Sequence, residues 1–348
     1  MNAIDLFCGA GGLSHGLKLE GVKIMAGIDL DPACKYPFEY NNKAQFIEAD
    51  ISTVSSETIK NLWPAQGMRL LAGCAPCQPF STYSNGRNTQ EDSKWGLLYE
   101  FGRIVQDTLP ELVTMENVPQ LTKHAVFHDF MRFLTEAGYY LWADEVYCPD
   151  YGIPQHRKRL VLLASRLGPV SLIQPTHTPE TYRTVREIIG RLPAIEAGMA
   201  DPQDPLHKAS KLSELNLQRI RQSKQGGTWR DWDEELVADC HQKESGKTFP
   251  GVYGRMSWDK PSPTMTTLCY GFGNGRFGHP EQDRAISLRE AALFQTFPRK
   301  YRFTKPGEAV PMRSVGRLIG NAVPVDLGRV IAKSFAAHLQ QHTANLTG

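Results

Sequence analysis

Nothing in this 348-residue sequence is apolar over the ~18 residues that a membrane-crossing helix needs. The opening residues, Met1 to Asp5, lack the basic start of a secretory leader, so the expected compartment is the cytoplasm. Cysteine is sparse and irregular: seven residues, with Cys8, Cys34, Cys148, Cys240 and Cys269 scattered singly. An odd number without framework spacing excludes a disulfide scaffold and points to free thiols in a reducing environment. Cys74 and Cys77 form one Cys-x-x-Cys pair, and no second pair exists to complete a zinc site. A large excess of one charge is also missing, because a net charge of +2 is too small for a protein that coats a polyanion by bulk charge. Internal repeats and low-complexity runs are absent as well, which leaves ordinary globular domains.

What charge there is lies unevenly. Residues 1–175 carry 15 Lys and Arg against 19 Asp and Glu, whereas residues 287–348 carry 9 against 3, so basic character gathers late in the chain. Two local clusters stand out: Arg219, Arg221, Lys224 and Arg230 with no acid between them, and Arg299, Lys300, Arg302 and Lys305. Each is either a solvated face or a phosphate contact.

Residues 2–7 read as a short apolar strand, and Cys8-Gly-Ala-Gly-Gly turns it into a helix near Leu13. Such a turn lets a ligand approach backbone and helix N–H groups. The dinucleotide pattern G-x-G-x-x-G fails, because Ser14 stands where the third glycine belongs. A second strand ends at Asp29-Leu30-Asp31 and a third leads to Asp50-Ile51. An acid at the end of strand two is placed to hold a ribose. Three acidic strand ends (Asp5, Asp29, Asp50) would repel a pyrophosphate, which favours S-adenosylmethionine over NAD. Residues 97–107 and 127–138 are helical by pattern, a strand starting at Glu111 leads to Glu116-Asn-Val-Pro119, and Gln155-His-Arg-Lys-Arg159 enters an apolar run. The alternation predicts an α/β fold with a doubly wound, mostly parallel sheet. From about residue 170 Pro and Gly become frequent, so 176–313 is expected to be a second, smaller and irregular domain, with 1–175 plus 314–348 forming the first.

The segment 73–81, GCAPCQPFS, follows a buried-strand signal, where open α/β sheets place their ligand chemistry. Cys77, held between prolines, is the candidate nucleophile. Half a metal site, a redox pair or a buried structural cysteine are the other readings of the same residues.

Taken together these stretches resemble the cytosine-C5 DNA methyltransferases. Residues 5–12 resemble the first cofactor motif, 73–81 the Pro-Cys-Gln nucleophile loop and 116–118 the acid motif. Gln155, Arg157 and Arg159 resemble the arginine motif, 289–298 the helix bracing the recognition domain, and 320–324 the closing cofactor motif. The resemblance implies a Rossmann-like methyltransferase domain that binds S-adenosylmethionine, releases S-adenosyl-L-homocysteine and uses no metal. Phe7, Gly9, Gly11, Gly12, Asp29, Leu30, Asp50, Ile51, Pro76 and Asn321 are the implied cofactor residues. Cys77 adds to C6 of cytosine, Glu116 supplies a proton at N3, Arg159 contacts O2 and Arg157 supports it. Cys74 is left with a packing role.

A cytosine inside a duplex hides C6, so the base is expected to be flipped out. Gln78 and Ser81 are implied to face the sugar-phosphate backbone, Thr266 a phosphate, and Tyr253 or Arg255 the base or the gap. The implied partner is double-stranded DNA with a short recognition site, bound by a monomer that associates with the nucleoid, and with a restriction endonuclease only as a genetic partner. The length resembles bacterial or phage enzymes. The alternatives are a tRNA cytosine-C5 methyltransferase of the same family, whose Cys-Phe-Thr signature is missing here, a non-catalytic DNA-binding relative, and a dinucleotide oxidoreductase.

Overall fold

A computed structural model describes residues 1–76 and 96–347. The chain divides into two compact units, one of residues 1–151, 158–175 and 323–348, the other of residues 152–157 and 176–322. The expected boundary at 313/314 therefore falls inside the second unit, which also takes in the short segment before Lys158. Among the described residues no helix is long and apolar enough to cross a membrane, and no group of three His, Cys, Asp or Glu side chains is placed to hold a metal ion.

The strands run β1 (Asn2–Leu6), β2 (Lys23–Asp29), β3 (Gln45–Glu48), β4 (Arg69–Gly73), β5 (Leu112–Asn117), β6 (Tyr140–Tyr147), β7 (Gln155–His156) and β8 (Lys158–Ser165). All but β7 form one sheet in the first unit, in the order β3-β2-β1-β4-β5-β8-β6. β1 to β5 pair in parallel, and β8 runs antiparallel to both β5 and β6. In β1, β4 and β5 nearly every residue is buried, so both faces of the sheet are covered. Helices α1 (Gly12–Leu19), α2 (Lys35–Asn42), α3 (Ser56–Leu62), α4 (Gly96–Thr108) and α5 (Ala125–Glu136) accompany it. On one face Ile4, Leu6, Leu71, Val113 and Leu162 pack with Phe101 of α4 and Phe130 of α5. A C-terminal helix, Val325–Thr347, packs on α1 so closely that a Cβ at Gly16 would lie 2.1 Å from the Val325 carbonyl oxygen.

The second unit has little ladder. Its strands are β7, β9 (Ala200–Asp201), β10 (Asp204–Lys208) and β11 (Ser262–Pro263), with β9 paired to β10 and β7 to β11. Its helices are short: α6 (Val185–Ile189), α7 (Glu214–Gln222), α8 (Asp239–Gln242), α9 (Glu244–Lys247), α10 (Leu288–Phe294) and α11 (Met312–Asn321). A small core gathers Ile220, Trp229, Trp232 and Phe272. Buried charge does the rest: Arg284 is fully buried and grips Glu290 of α10 through two hydrogen bonds of 2.7 and 2.8 Å.

Candidate active site

The strand order reverses between β1 and β4, and in an open parallel sheet the crevice beyond such a reversal is where ligands bind. The turn leaving β1 is built for close approach. Phe7 (φ 58°), Gly9 (φ 53°) and Gly11 (φ 87°) all lie in the left-handed region, and nothing stands within 4 Å of the position a Cβ would take on Gly9. A phenylalanine in that region is strained, and strain of this kind collects at functional sites. Asp29, ending β2, ties the turn down: its Oδ2 accepts the Gly9 N–H and its Oδ1 the Asp31 N–H, both at 2.9 Å. Burial pushes the Asp29 carboxyl up, against those hydrogen bonds. Asp5 is buried one strand over and accepts a 2.6 Å bond from Ser14 Oγ; burial lifts it to about 7, with the Asp29 charge adding to the rise.

Other expected cofactor residues gather at the same strand ends. Gly12 opens α1, Leu30 is 66% exposed beside Asp29, and Ile51 is buried. Asp50 is exposed; its Oδ1 accepts from the Ser52 N–H and hydroxyl, which hold it below the usual carboxylate range. Pro76 is exposed beyond β4. Asn321 ends α11 in the second unit with its side chain exposed. Cys77, Gln78 and Ser81 lie outside the described residues.

The register of β4 against β5 sets the chemistry beside that loop. Gly73 lies opposite Met115, so the next residues along each strand, Cys74 and Glu116, are brought side by side. The Cys74 thiol donates to Glu116 Oε2 at 2.9 Å. Cys74 therefore has more than the packing role expected of it. From the other side β8 places Glu116 opposite Val161, and Arg159 on the diagonal puts its Nε 2.9 Å from Glu116 Oε1. Glu116 is only 2% exposed; its Oε2 takes the thiol hydrogen bond, while Oε1 meets the Arg159 charge without a hydrogen bond. Asn117 donates to the Ala75 carbonyl at 3.1 Å and anchors the chain just before Pro76. Its only sequence signal was its place after Glu116. Both Glu116 and Asn117 are the last residues of the strand itself, not of a loop at its edge.

Arg157, Tyr253, Arg255 and Thr266 belong to the second unit. The Arg157 guanidinium is buried and donates to the Met265 carbonyl at 3.0 Å and, at 3.5 Å, to that of Ala322. Tyr253 (φ 59°) packs edge-on against Trp232 and Phe272. Arg255 is 5% exposed; its N–H groups go to the carbonyls of Ile220, Ser223, His279 and Gln282 and to the Asp283 carboxylate. That accounts for every donor a guanidinium has, so Arg255 braces the unit in place of the expected DNA contact. Thr266 is half-buried in the loop after β11.

A doubly wound sheet with one reversed strand, and an acid, a thiol and an arginine converging beside its switch point, define a protein of the α/β methyltransferase fold. The chain matches the C-5 cytosine-specific DNA methylase family over residues 1–337 and belongs to it, which makes it a DNA cytosine-5 methyltransferase. It is 54% identical over 340 residues to the Type II methylase M.HgiDII of Herpetosiphon aurantiacus, covering 97% of this chain and 95% of the relative. To the Type II methyltransferase M.Eco47II of Escherichia coli it is 31% identical over 340 residues, covering 95% and 78%. Among solved structures, a prophage-encoded candidate DNA modification methyltransferase of E. coli superposes with a TM-score of 0.74 at 21% identity, over 98% of this chain and 99% of that one. The S. pombe Dnmt2 methyltransferase gives 0.63 at 16% identity, over 97% and 99%. At those identities the two structures speak for the fold alone.

Proposed function

We propose that this chain is a sequence-specific, S-adenosylmethionine-dependent methyltransferase that modifies a cytosine flipped out of duplex DNA. The observation that carries the site assignment is Glu116, buried at the edge of β5 between Cys74 and Arg159, directly beside the strand end from which the Cys77 loop departs. The relative at 54% identity is a Type II methylase, which favours duplex DNA over the tRNA alternative and a restriction-modification setting with an endonuclease as genetic partner. The first unit is the catalytic one and the second reads the target, acting as a monomer.

The residues at the ends of β1 and β2 fit S-adenosylmethionine. The open left-handed turn at Gly9 leaves backbone room, Leu30 offers an exposed apolar face, and Asp29 and Asp50 present carboxylates to ribose and adenine. Asn321 is assigned to the same ligand by the closing cofactor motif. When bound, the cofactor supplies an electrophilic methyl group beside a site already rich in carboxylates.

Cys77 forms its carbon–sulfur bond at C6 of cytosine, and the electron pair displaced from the C5–C6 double bond makes C5 nucleophilic. Glu116 delivers a proton to N3 as that pair moves, so no full negative charge gathers on the ring. Arg159 orients Glu116 and contacts O2. Once C5 carries its methyl group, water takes the C5 proton; N3 returns its proton to Glu116 as the C5–C6 double bond re-forms and Cys77 leaves as thiolate. Gln78, Ser81 and Thr266 bind the sugar-phosphate backbone while the base is extruded.

DNA carrying 5-fluorocytosine at the target tests the reading. Fluorine at C5 cannot leave as a cation, so a denaturing gel should show the enzyme trapped on DNA only when S-adenosylmethionine is present. Cys77→Ser should abolish the adduct, because a hydroxyl is far less ionised than a thiol near neutral pH. An adduct that survives in Cys77→Ser would assign the nucleophile elsewhere.

A further inference from the structure

The two oxygens of Glu116 face groups of different kinds. Oε1 lies 2.9 Å from Arg159 Nε in an ion pair, without accepting a hydrogen bond from it. Oε2 meets Cys74 Sγ at 2.9 Å, and a thiol can either donate its hydrogen weakly or turn it away and accept. The positive charge of Arg159 beside Oε1 disfavours a proton on that oxygen. The proton of an acidic Glu116 therefore has its place on Oε2, beside the group that can reverse its role. The parallel register of β4 and β5 holds that thiol in position, and the Cys74 N–H is fixed in turn on the Leu6 carbonyl at 3.3 Å.

We propose that Cys74 is a positioning residue for the proton transfer: its thiol selects Oε2 of Glu116 as the acid oxygen and holds that oxygen as its charge changes. With Glu116 protonated, Cys74 sulfur accepts the Oε2 hydrogen. As that hydrogen passes to N3 of cytosine, the S–H rotates and donates to the carboxylate left behind. No bond to sulfur breaks, and the proton lost by Glu116 is the one N3 gains. The proposal rests on reading Glu116 as the acid.

Steady-state and single-turnover methylation by the full-length enzyme, with duplex DNA and S-adenosylmethionine, separate the possibilities. Cys74→Val keeps the volume but loses the donor and should lower kcat by about tenfold, with KM for DNA and for S-adenosylmethionine within about twofold of wild type. Cys74→Ser, which can also donate and accept, should recover most of that loss. In a Glu116→Gln background, Cys74→Val should cost nothing further, because its effect runs through Glu116. An equal cost of Cys74→Val in both backgrounds, or a Cys74→Ser as slow as Cys74→Val at an unchanged melting temperature, would reduce Cys74 to packing. Wild-type turnover by Cys74→Val would overturn the proposal outright. If instead Glu116→Gln alone kept wild-type turnover, the acid assignment itself would fail, which is a separate result.

Discussion

Two fully buried carboxyls, one in each unit, end up at opposite extremes. Asp5, in the first unit, is lifted to about 7 by burial, with Asp29 nearby and the hydroxyl and backbone N–H of Ser14 working against the rise. Glu290, in the second, faces the same burial, yet two hydrogen bonds and the charge of Arg284 bring it down to about 2. The difference is one guanidinium. In the first unit a regular ladder satisfies the backbone, and no guanidinium is needed to close it. In the second unit ladder is scarce, and arginines close the stray carbonyls: Arg255 takes four of them, and Arg276 takes those of Gly226 and Gly227. Buried backbone oxygens need donors whatever supplies them.

The largest effect is expected where that closure is removed. Glu290→Gln leaves Arg284 buried without its counter-charge, and urea unfolding should show a loss of about 3–5 kcal/mol. A loss under about 1 kcal/mol would mean that the ion pair does not hold the second unit together, and the contrast would break.

Asp5→Asn sharpens the other side. The folded protein keeps the Asp5 proton up to about pH 7, whereas an unfolded chain releases it near 3.8. Wild-type stability without cofactor should therefore fall as pH rises from about 4 to 7 and level off above. The drop is about 4 kcal/mol by linkage. The Asn variant should lack this component. Parallel curves for the two proteins would show that Asp5 is ionised throughout.

A third test concerns Arg255. Arg255→Met should cost about 2 kcal/mol of stability by stranding buried carbonyls, while the salt dependence of DNA affinity stays as in wild type. A slope shallower by about 0.9 with stability intact would return Arg255 to the DNA.

The smallest effect is at Phe7. Phe7→Gly relieves a left-handed phenylalanine but also removes a half-buried ring packed on the core, so the two should nearly cancel in stability while cofactor binding weakens. A calorimetric affinity equal to wild type would take the ring out of the cofactor site.

How much of this was readable beforehand follows the same divide. The first unit announced itself, because apolar runs, a glycine-rich turn and acids at strand ends are local signals. Cys74 did not, since nothing in the sequence pairs residue 74 with residue 116; only the strand register does. In the second unit the arginines gave no comparable signal. Arg219 and Arg221 have no acid between them in sequence, yet Arg219 donates to the Leu236 carbonyl and lies over the rings of Trp232 and Tyr253. Arg221 has Glu214 and Asp283 within 4.0 Å. A guanidinium turned inward looks the same in sequence as one turned outward, and no periodicity distinguishes them.

The close seat of the C-terminal helix on α1 has a consequence for how the protein is made. Arg329 of that helix pairs with Glu20 at the end of α1, and Gly328 lies against the Leu13 carbonyl. On the ribosome the whole second unit is translated between α1 and its partner. At roughly 5–20 residues per second, α1 waits on the order of 15–60 seconds for that partner. The packing of the first unit is thus completed only once residue 325 and beyond have left the exit tunnel.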